Sequence, residues 1–331
     1  MTLAGSVAQA PRLGVSSHPW VRFGVRRVGR LLVSLWVLVT ASFLMIHLIP
    51  GDAVRAALGP TAPASLVAAK REEMGLDDPI LVQYWHYLQH LVTGDLGTSI
   101  VSQLPVSDVV SQRLPATLQL ALLAFVVAVA VAVPLGVTMG VLTRRGHGRR
   151  TELGFTTTSV VLGTIPDFLV GVGLVYVFGV NLGWLPVAGN DTPSAYVLPV
   201  LALAIGPAAI LSRIIRVEMV AVLEADFVRT ARAKRLPART VYLRHALPNA
   251  LTASLTLGGL ILSAMVAGTV LVENVFAWPG LGSTIVSSIL NKDYQVVQAI
   301  VLVYGAGVLL VNTVVDVALA LLDPRSMIRE D

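Results

Sequence analysis

An all-α integral membrane fold with six transmembrane helices is predicted by three observations. Of 331 residues, 55% are hydrophobic and 13% charged, whereas a soluble domain carries about a quarter charged. Crossing about 30 Å of hydrocarbon takes about 20 apolar residues, and six stretches qualify: 31–49, 116–142, 155–180, 197–215, 251–272 and 296–322. The cations behind the net charge of +5 are mostly arginines clustered at the ends of these runs. That pattern orients a chain in a bilayer and does not point to nucleic acid.

In chain order, a polar tail (1–26) leads into the first span (27–50), which Arg22, Arg26, Arg27 and Arg30 introduce. A cleaved leader is the competing reading, since small residues follow near 61–65. Its apolar run is longer than that of a usual leader and lies behind a long tail, which favours a retained span.

Residues 51–115 are too long for a turn and carry Lys70, Arg71, Glu72, Glu73, Asp77 and Asp78 in mixed sign. They read as a small helical extracytoplasmic domain. In it, Ser65 is placed as the N-cap of a helix with Gly75 just past its end. A second helix puts Ile80, Tyr84, Leu88 and Leu91 on one face. These helices either cover the mouth of the membrane bundle or receive a partner.

Residues 116–322 supply five further helices, and a short tail (323–331) follows. Gly136 and Gly140 make a small-residue step in the second span, and Ala264 with Gly268 a similar one in the fifth, both suited to close helix packing. Arg144, Arg145, Arg149 and Arg150 follow the second span. With six spans the arginine clusters share one side, so both termini are expected in the cytoplasm.

Several chemistries are missing. There is no cysteine and no Gly-Lys pair, so neither a thiolate site nor a self-contained phosphate-cradling loop is available. No His-Glu-x-x-His helix occurs, the six histidines lack ligand spacing, and no metal is assigned. Asp167 and Asp316 are the acids read inside the spans, with Asn312 four residues before Asp316. Acids there invite a functional reading, and both a proton-coupled carrier and an aspartyl membrane protease would use the pair. A structural reading competes, since Asp167 follows Pro166 and can accept from local backbone donors.

Between the fourth and fifth spans runs "EADFVRTARAKRLPARTVYLRHALPNAL". Asp226 to Lys234 is rich in helix formers, with Phe227, Val228 and Ala231 on one face and Arg229 and Arg232 on another. "RLP" breaks the run and "ARTVYLRHAL" resumes it, which predicts two short helices with a bend at the membrane surface. A basic amphipathic segment of this kind also suits anionic lipid.

The stretch resembles the cytoplasmic signature loop of permease subunits of binding-protein-dependent ABC importers. Arg229-Thr230-Ala231 occupies the "EAA" block, Arg235 the position of the family's Gly, and Leu247-Pro248 its Leu-Pro. "IPGD" at 49–52, "GLDDP" at 75–79, "GDLGTS" at 94–99, "GWLPVAG" at 183–189, "VENVFAWPGLG" at 272–282 and "LDPR" at 322–325 resemble the peptide/nickel class of that family, in its order.

The resemblance implies a bacterial-type inner-membrane subunit with the type I importer fold, and no enzymatic site of its own. Its partners would be a second homologous permease, two ATPase subunits that use ATP and Mg, an extracytoplasmic solute-binding protein, and membrane lipid. Residues 224–249 would form the coupling loop, with Asp226, Arg229, Thr230, Ala231, Arg232, Lys234, Arg235, Leu247 and Pro248 at the ATPase. Gly94, Asp95, Glu273, Asn274, Trp278, Pro279 and Gly280 would face the binding protein at the outer gate. Short peptides are the implied cargo, with nickel, glutathione or another small solute as alternatives. Arg235 departs from the family's Gly, a residue suited to a positive-φ turn.

Overall fold

In a computed structural model of the chain, the described residues are 19–48, 53–59, 61–73, 75–146 and 148–322. Residues 1–18 of the tail, the tail 323–331, the motif at 49–52 and all but the first residue of the motif at 322–325 lie outside them. The order is α1 (Pro19–Leu48), α2 (Ala53–Leu58), α3 (Ala64–Glu73), α4 (Ile80–Thr93), α5 (Val106–Leu142), α6 (Arg149–Thr164), α7 (Asp167–Leu174), α8 (Val197–Leu223), α9 (Asp226–Ala233), α10 (Ala238–Thr240), α11 (Leu247–Val275), α12 (Leu281–Leu290) and α13 (Tyr294–Leu322). Wide π-helical turns extend α7 over Val175–Asn181 and α10 over Val241–Ala246. Among the described residues the β pairing is a single bridge between Thr98 and Pro105.

Five helices (α1, α5, α8, α11 and α13) are long and apolar enough to cross a bilayer, and the bent pair of α6 and α7 makes the sixth span. The expected continuous third helix is therefore corrected: the chain turns by 94° between Thr164 and Asp167. Pro166 lacks an amide hydrogen, and its ring drives the preceding residue out of the helical region. Ile165 accordingly adopts φ −68°, ψ 124°. Other boundaries move too. The first helix begins at Pro19, and the helix carrying the second span begins at Val106 rather than after Pro115.

Without an apolar driving force between helices in lipid, close van der Waals approach must hold the bundle. α5 meets this with a stripe of small residues. Thr117, Ala121, Ala124, Ala128, Ala132, Gly136 and Gly140 are buried at helical spacing, while Leu118, Leu122, Val126 and Leu135 point outward. The stripe packs along α8, which runs parallel to α5. A Cβ on Gly136 would sit 2.7 Å from the Ile215 Cβ and the Ser212 carbonyl oxygen, and one on Gly140 2.8 Å from the Met219 Cβ.

α8 is the hub, touched by α5, α6, α7 and α11. The expected small-residue step in α11 is different in fact. Ala264 is exposed and Gly268 faces Asp167, while the close approach falls at Gly259, where any Cβ would overlap Val315 of α13.

α1 lies along α13. Leu38 fills the space beside Gly305, Ser42 and Gln298 each donate to the other's carbonyl at 3.2 and 3.1 Å, and Arg27 pairs with Asp316. α4 lies against α1: Tyr84 hydroxyl and Thr40 hydroxyl are 2.8 Å apart, and the Phe43 ring meets Tyr84 edge-on and Tyr87 at a tilt. Burial at that contact pushes the Tyr87 phenol up from its ordinary pKa. Tyr84, Leu88 and Leu91 share the half-buried face as expected, but Ile80 is exposed. Ser65 also lies inside α3, whose first turn is closed by the Pro63 carbonyl, while Gly75 ends the segment at φ +62°.

Candidate coupling surface and outer hairpin

The segment between α8 and α11 is anchored from below. Val228 and Ala231 of α9, Val241 and Ala246 of the π-helical turns and Ala250 of α11 are buried with Met219 and Leu223 of α8. A carboxylate in the first turn, Asp226, suits the positive end of α9, and it accepts from Arg229 Nη1 at 3.1 Å.

The helix ends at Ala233 in a left-handed stop. Arg235 takes φ +55°, its N–H donates to the Arg232 carbonyl at 2.9 Å, and the Leu236 N–H donates to the Ala231 carbonyl at 3.4 Å. Leu236 then packs on the buried cluster that includes Ala231, completing the apolar contact that accompanies such a stop. The arginine at the expected Gly position thus keeps the positive-φ turn.

Pro248 explains the turns that follow. Within a helix its ring would collide with the carbonyl four residues back and it offers no hydrogen, so the preceding turn widens into the π form. Asn249 Nδ2 donates to the His245 carbonyl at 2.8 Å. Arg144, in the short loop after α5, stacks over the Tyr242 ring at 5.9 Å. Arg216 of α8 joins three elements, reaching Glu152 of α6 at 2.5 Å and the Thr143 hydroxyl at 2.9 Å.

On the outward face stand Asp226, Arg229, Thr230, Lys234, Arg235 and Pro248, all exposed. Three expected members stand elsewhere: Ala231 is buried, Leu247 half-buried, and Arg232 half-buried with its Nη2 shielded from solvent. Phe227 is corrected in the opposite direction. It is 44% exposed and leaves the apolar face to Val228 and Ala231. With Leu243, 47% exposed beside Arg239 and Arg244 in a shallow groove, it makes the surface amphipathic. An apolar residue at a short helix's edge carries no local signal for which side it takes.

The hairpin between α11 and α12 is organised by a buried acid. Glu273 is fully buried and accepts from the Thr117 hydroxyl at 2.7 Å, the Gly282 N–H at 2.6 Å and the Ser283 N–H at 3.1 Å. A carboxyl at the first turn of α12 satisfies orphan amides there. Trp278 is equally buried, its Nε1 donating to the Ala116 carbonyl at 3.1 Å and its ring meeting Tyr196 edge-on at 4.6 Å. Gly280 is buried against Glu273, where a Cβ would overlap the carboxyl. Asn274 is exposed and Pro279 half-exposed.

A second buried acid, unforeseen in the sequence, ties the segment before α5 to the start of α13. Asp293, just before α13, accepts from the Ser99 hydroxyl and from the Ile100 N–H. Nearby, Gly94 and Asp95 are exposed. The Gly97 N–H at 2.8 Å, and then His90 at 3.0 Å, hold the Asp95 carboxyl below its ordinary range.

The intramembrane polar set separates. Asn312 accepts from the Ser263 hydroxyl at 2.9 Å, linking α11 to α13. Asp316 is neutralised by Arg27, whereas Asp167 sits at the α6–α7 break between Gly206 and Gly268. The two aspartates therefore occupy different neighbourhoods, which suits neither an aspartyl dyad nor a two-carboxylate proton relay. Among the described residues no three His, Asp or Glu side chains gather to hold a metal ion.

Residues 132–328 match the family described as "Binding-protein-dependent transport system inner membrane component", and residues 20–121 match the amino-terminal family of such membrane components. The chain is 38% identical over 304 residues to the glutathione transport system permease protein of Salmonella typhimurium, covering 92% of this chain and 98% of that protein. It is also 38% identical over 305 residues to the protein of that name from Escherichia coli K12, with the same two coverages.

Proposed function

The chain belongs to the inner-membrane components of binding-protein-dependent transport systems, the permease subunits of ABC importers, and from that premise we propose that it carries short peptides, glutathione-like tripeptides among them. The family implies ATPase subunits and a solute-binding protein. In our reading a second, similar permease completes the path, lipid surrounds the pair, and ATP and Mg act only at the ATPases. Both termini and the segment from Asp226 to Pro248 face the cytoplasm.

The observation that carries this reading is the amphipathic α9. Val228 and Ala231 fasten it to α8 and α11, while Phe227, Arg229 and Arg235 face outward. Such a surface fits a groove with an apolar floor and an acidic rim. Closure of two ATPases on ATP would press on α9, and the rigid α8 and α11 would carry the displacement to the outer hairpin. Only binding that differs between two states can drive such a shift. The outer segment 51–115 and the exposed Asn274 and Pro279 would meet the loaded binding protein, with Glu273, Trp278 and Gly280 shaping the hairpin from within.

The test is co-purification of the tagged chain from its native membrane with and without Phe227→Ala, Arg229→Glu and Arg235→Glu together. Arg232 is spared because its guanidinium is partly buried. ATPase subunits should accompany the natural protein and be lost from the variant. A lone natural chain that transports after reconstitution, and stops on adding a protonophore, would overturn the reading. The proton-coupled alternative is already weakened by the pairing of Asp316 with Arg27.

A further inference from the structure

Asp167, at the α6–α7 break, is an intramembrane acid to which the described residues give no counter-charge. Asp316 has Arg27, and Glu273 gathers three donors. Asp167 is half-buried, and among the described residues no Lys, Arg or His side chain pairs with it. It opens α7 at the 94° break of the bent pair, and interrupted spans expose polar groups that can serve a passing solute.

Glycines of two neighbouring helices face the carboxyl. Oδ1 lies 3.3 Å from the position a Cβ would take on Gly206 of α8, and Oδ2 3.4 Å from that on Gly268 of α11. A side chain at Gly206 would crowd the carboxyl, and one at Gly268 would touch it. One turn along α7, Gly171 touches the Phe276 ring of the outer hairpin, with a built Cβ 3.1 Å away. The carboxyl therefore stands one helical turn along α7 from the contact with the hairpin.

We infer that Asp167 is a cargo-binding residue on the translocation path, and that it receives an ammonium group of the solute. This deepens the proposed peptide reading and rests on it. An intramembrane acid with no counter-charge is costly unless something pairs with it, and a peptide's amino group supplies that charge during passage.

The experiment uses the complete transporter, with its ATPases and binding protein, in proteoliposomes. Uptake of glutathione and of dialanine is measured alongside ATP hydrolysis for the natural protein and for Asp167→Asn, which keeps size and removes charge. Uptake of both peptides should fall by at least about tenfold, as expected for losing a charged hydrogen bond, with assembly and ATP hydrolysis unchanged. Asp167→Glu should recover part of the uptake.

Unchanged uptake, or slowing of only one peptide, would overturn the assignment. So would a joint loss of assembly and ATP hydrolysis, which would place the carboxyl in folding or in a contact with the other permease. ATP-dependent uptake of neither peptide by the natural complex would instead refute the peptide reading itself, and the assignment with it.

Discussion

Replacing Arg235 with Gly separates the backbone role of this position from its side-chain role. At φ +55° an L residue pays for Cβ crowding against the following carbonyl, about 1–2 kcal/mol. Glycine removes that strain but adds about 0.5–1 kcal/mol of unfolded-state freedom. The balance favours Arg235→Gly by roughly 0.5–1 kcal/mol, because both hydrogen bonds of the stop are made by backbone groups and survive the change. Opening of the stop should then be rarer. In detergent, amide exchange at residues 235 and 236 should slow by roughly two- to fivefold, the factor that free-energy difference represents. Arg235→Ala, which keeps a Cβ, should show no such slowing. Faster exchange in the glycine variant would refute the strain argument. In the full transporter, unchanged ATPase attachment on Arg235→Gly would leave the guanidinium without a role in docking.

Two further outcomes follow from packing and buried polarity. Glu273→Ala strips the acceptor from two amides and a hydroxyl, each costing about 1–3 kcal/mol when left unpaired. Thermal unfolding in detergent should fall accordingly and protease should cut the hairpin near 276–282, while an unchanged melting temperature would show that water replaces the carboxyl. Gly136→Ala and Gly154→Ala should differ in sign. The first forces a methyl against Ile215 and the Ser212 carbonyl and should destabilise by about 1–3 kcal/mol. The second meets nothing within 4 Å and should gain up to about 1 kcal/mol from helix propensity. Equal melting shifts would contradict the α5–α8 contact.

Much of the bundle is legible because its signals are local. Apolar run length marks the spans, since bilayer thickness imposes it on any sequence. The small step at Gly136 and Gly140 is readable because only small residues allow close backbone approach. The two-part helix around "RLP" follows from proline chemistry, and the positive-φ turn at Arg235 from the Gly position it fills.

The 94° break is marked only by Pro166, within an apolar stretch that passes every test of length. The sides taken by Phe227 and Ala264, and the Gly259–Val315 approach, depend on which helix arrives opposite.

Sequence by itself thus determined an importer permease with six spans and an amphipathic segment between the fourth and fifth of them, because hydrophobic length, charge placement and backbone stops are written residue by residue. Only the tertiary structure decided which acids are spent. Arg27 meets Asp316 across 289 positions of chain, Thr117 meets Glu273 across 156, and Ser99 meets Asp293 across 194. Asp167 is left among glycines. Partners so distant are chosen by how helices pack, and no local propensity records that choice.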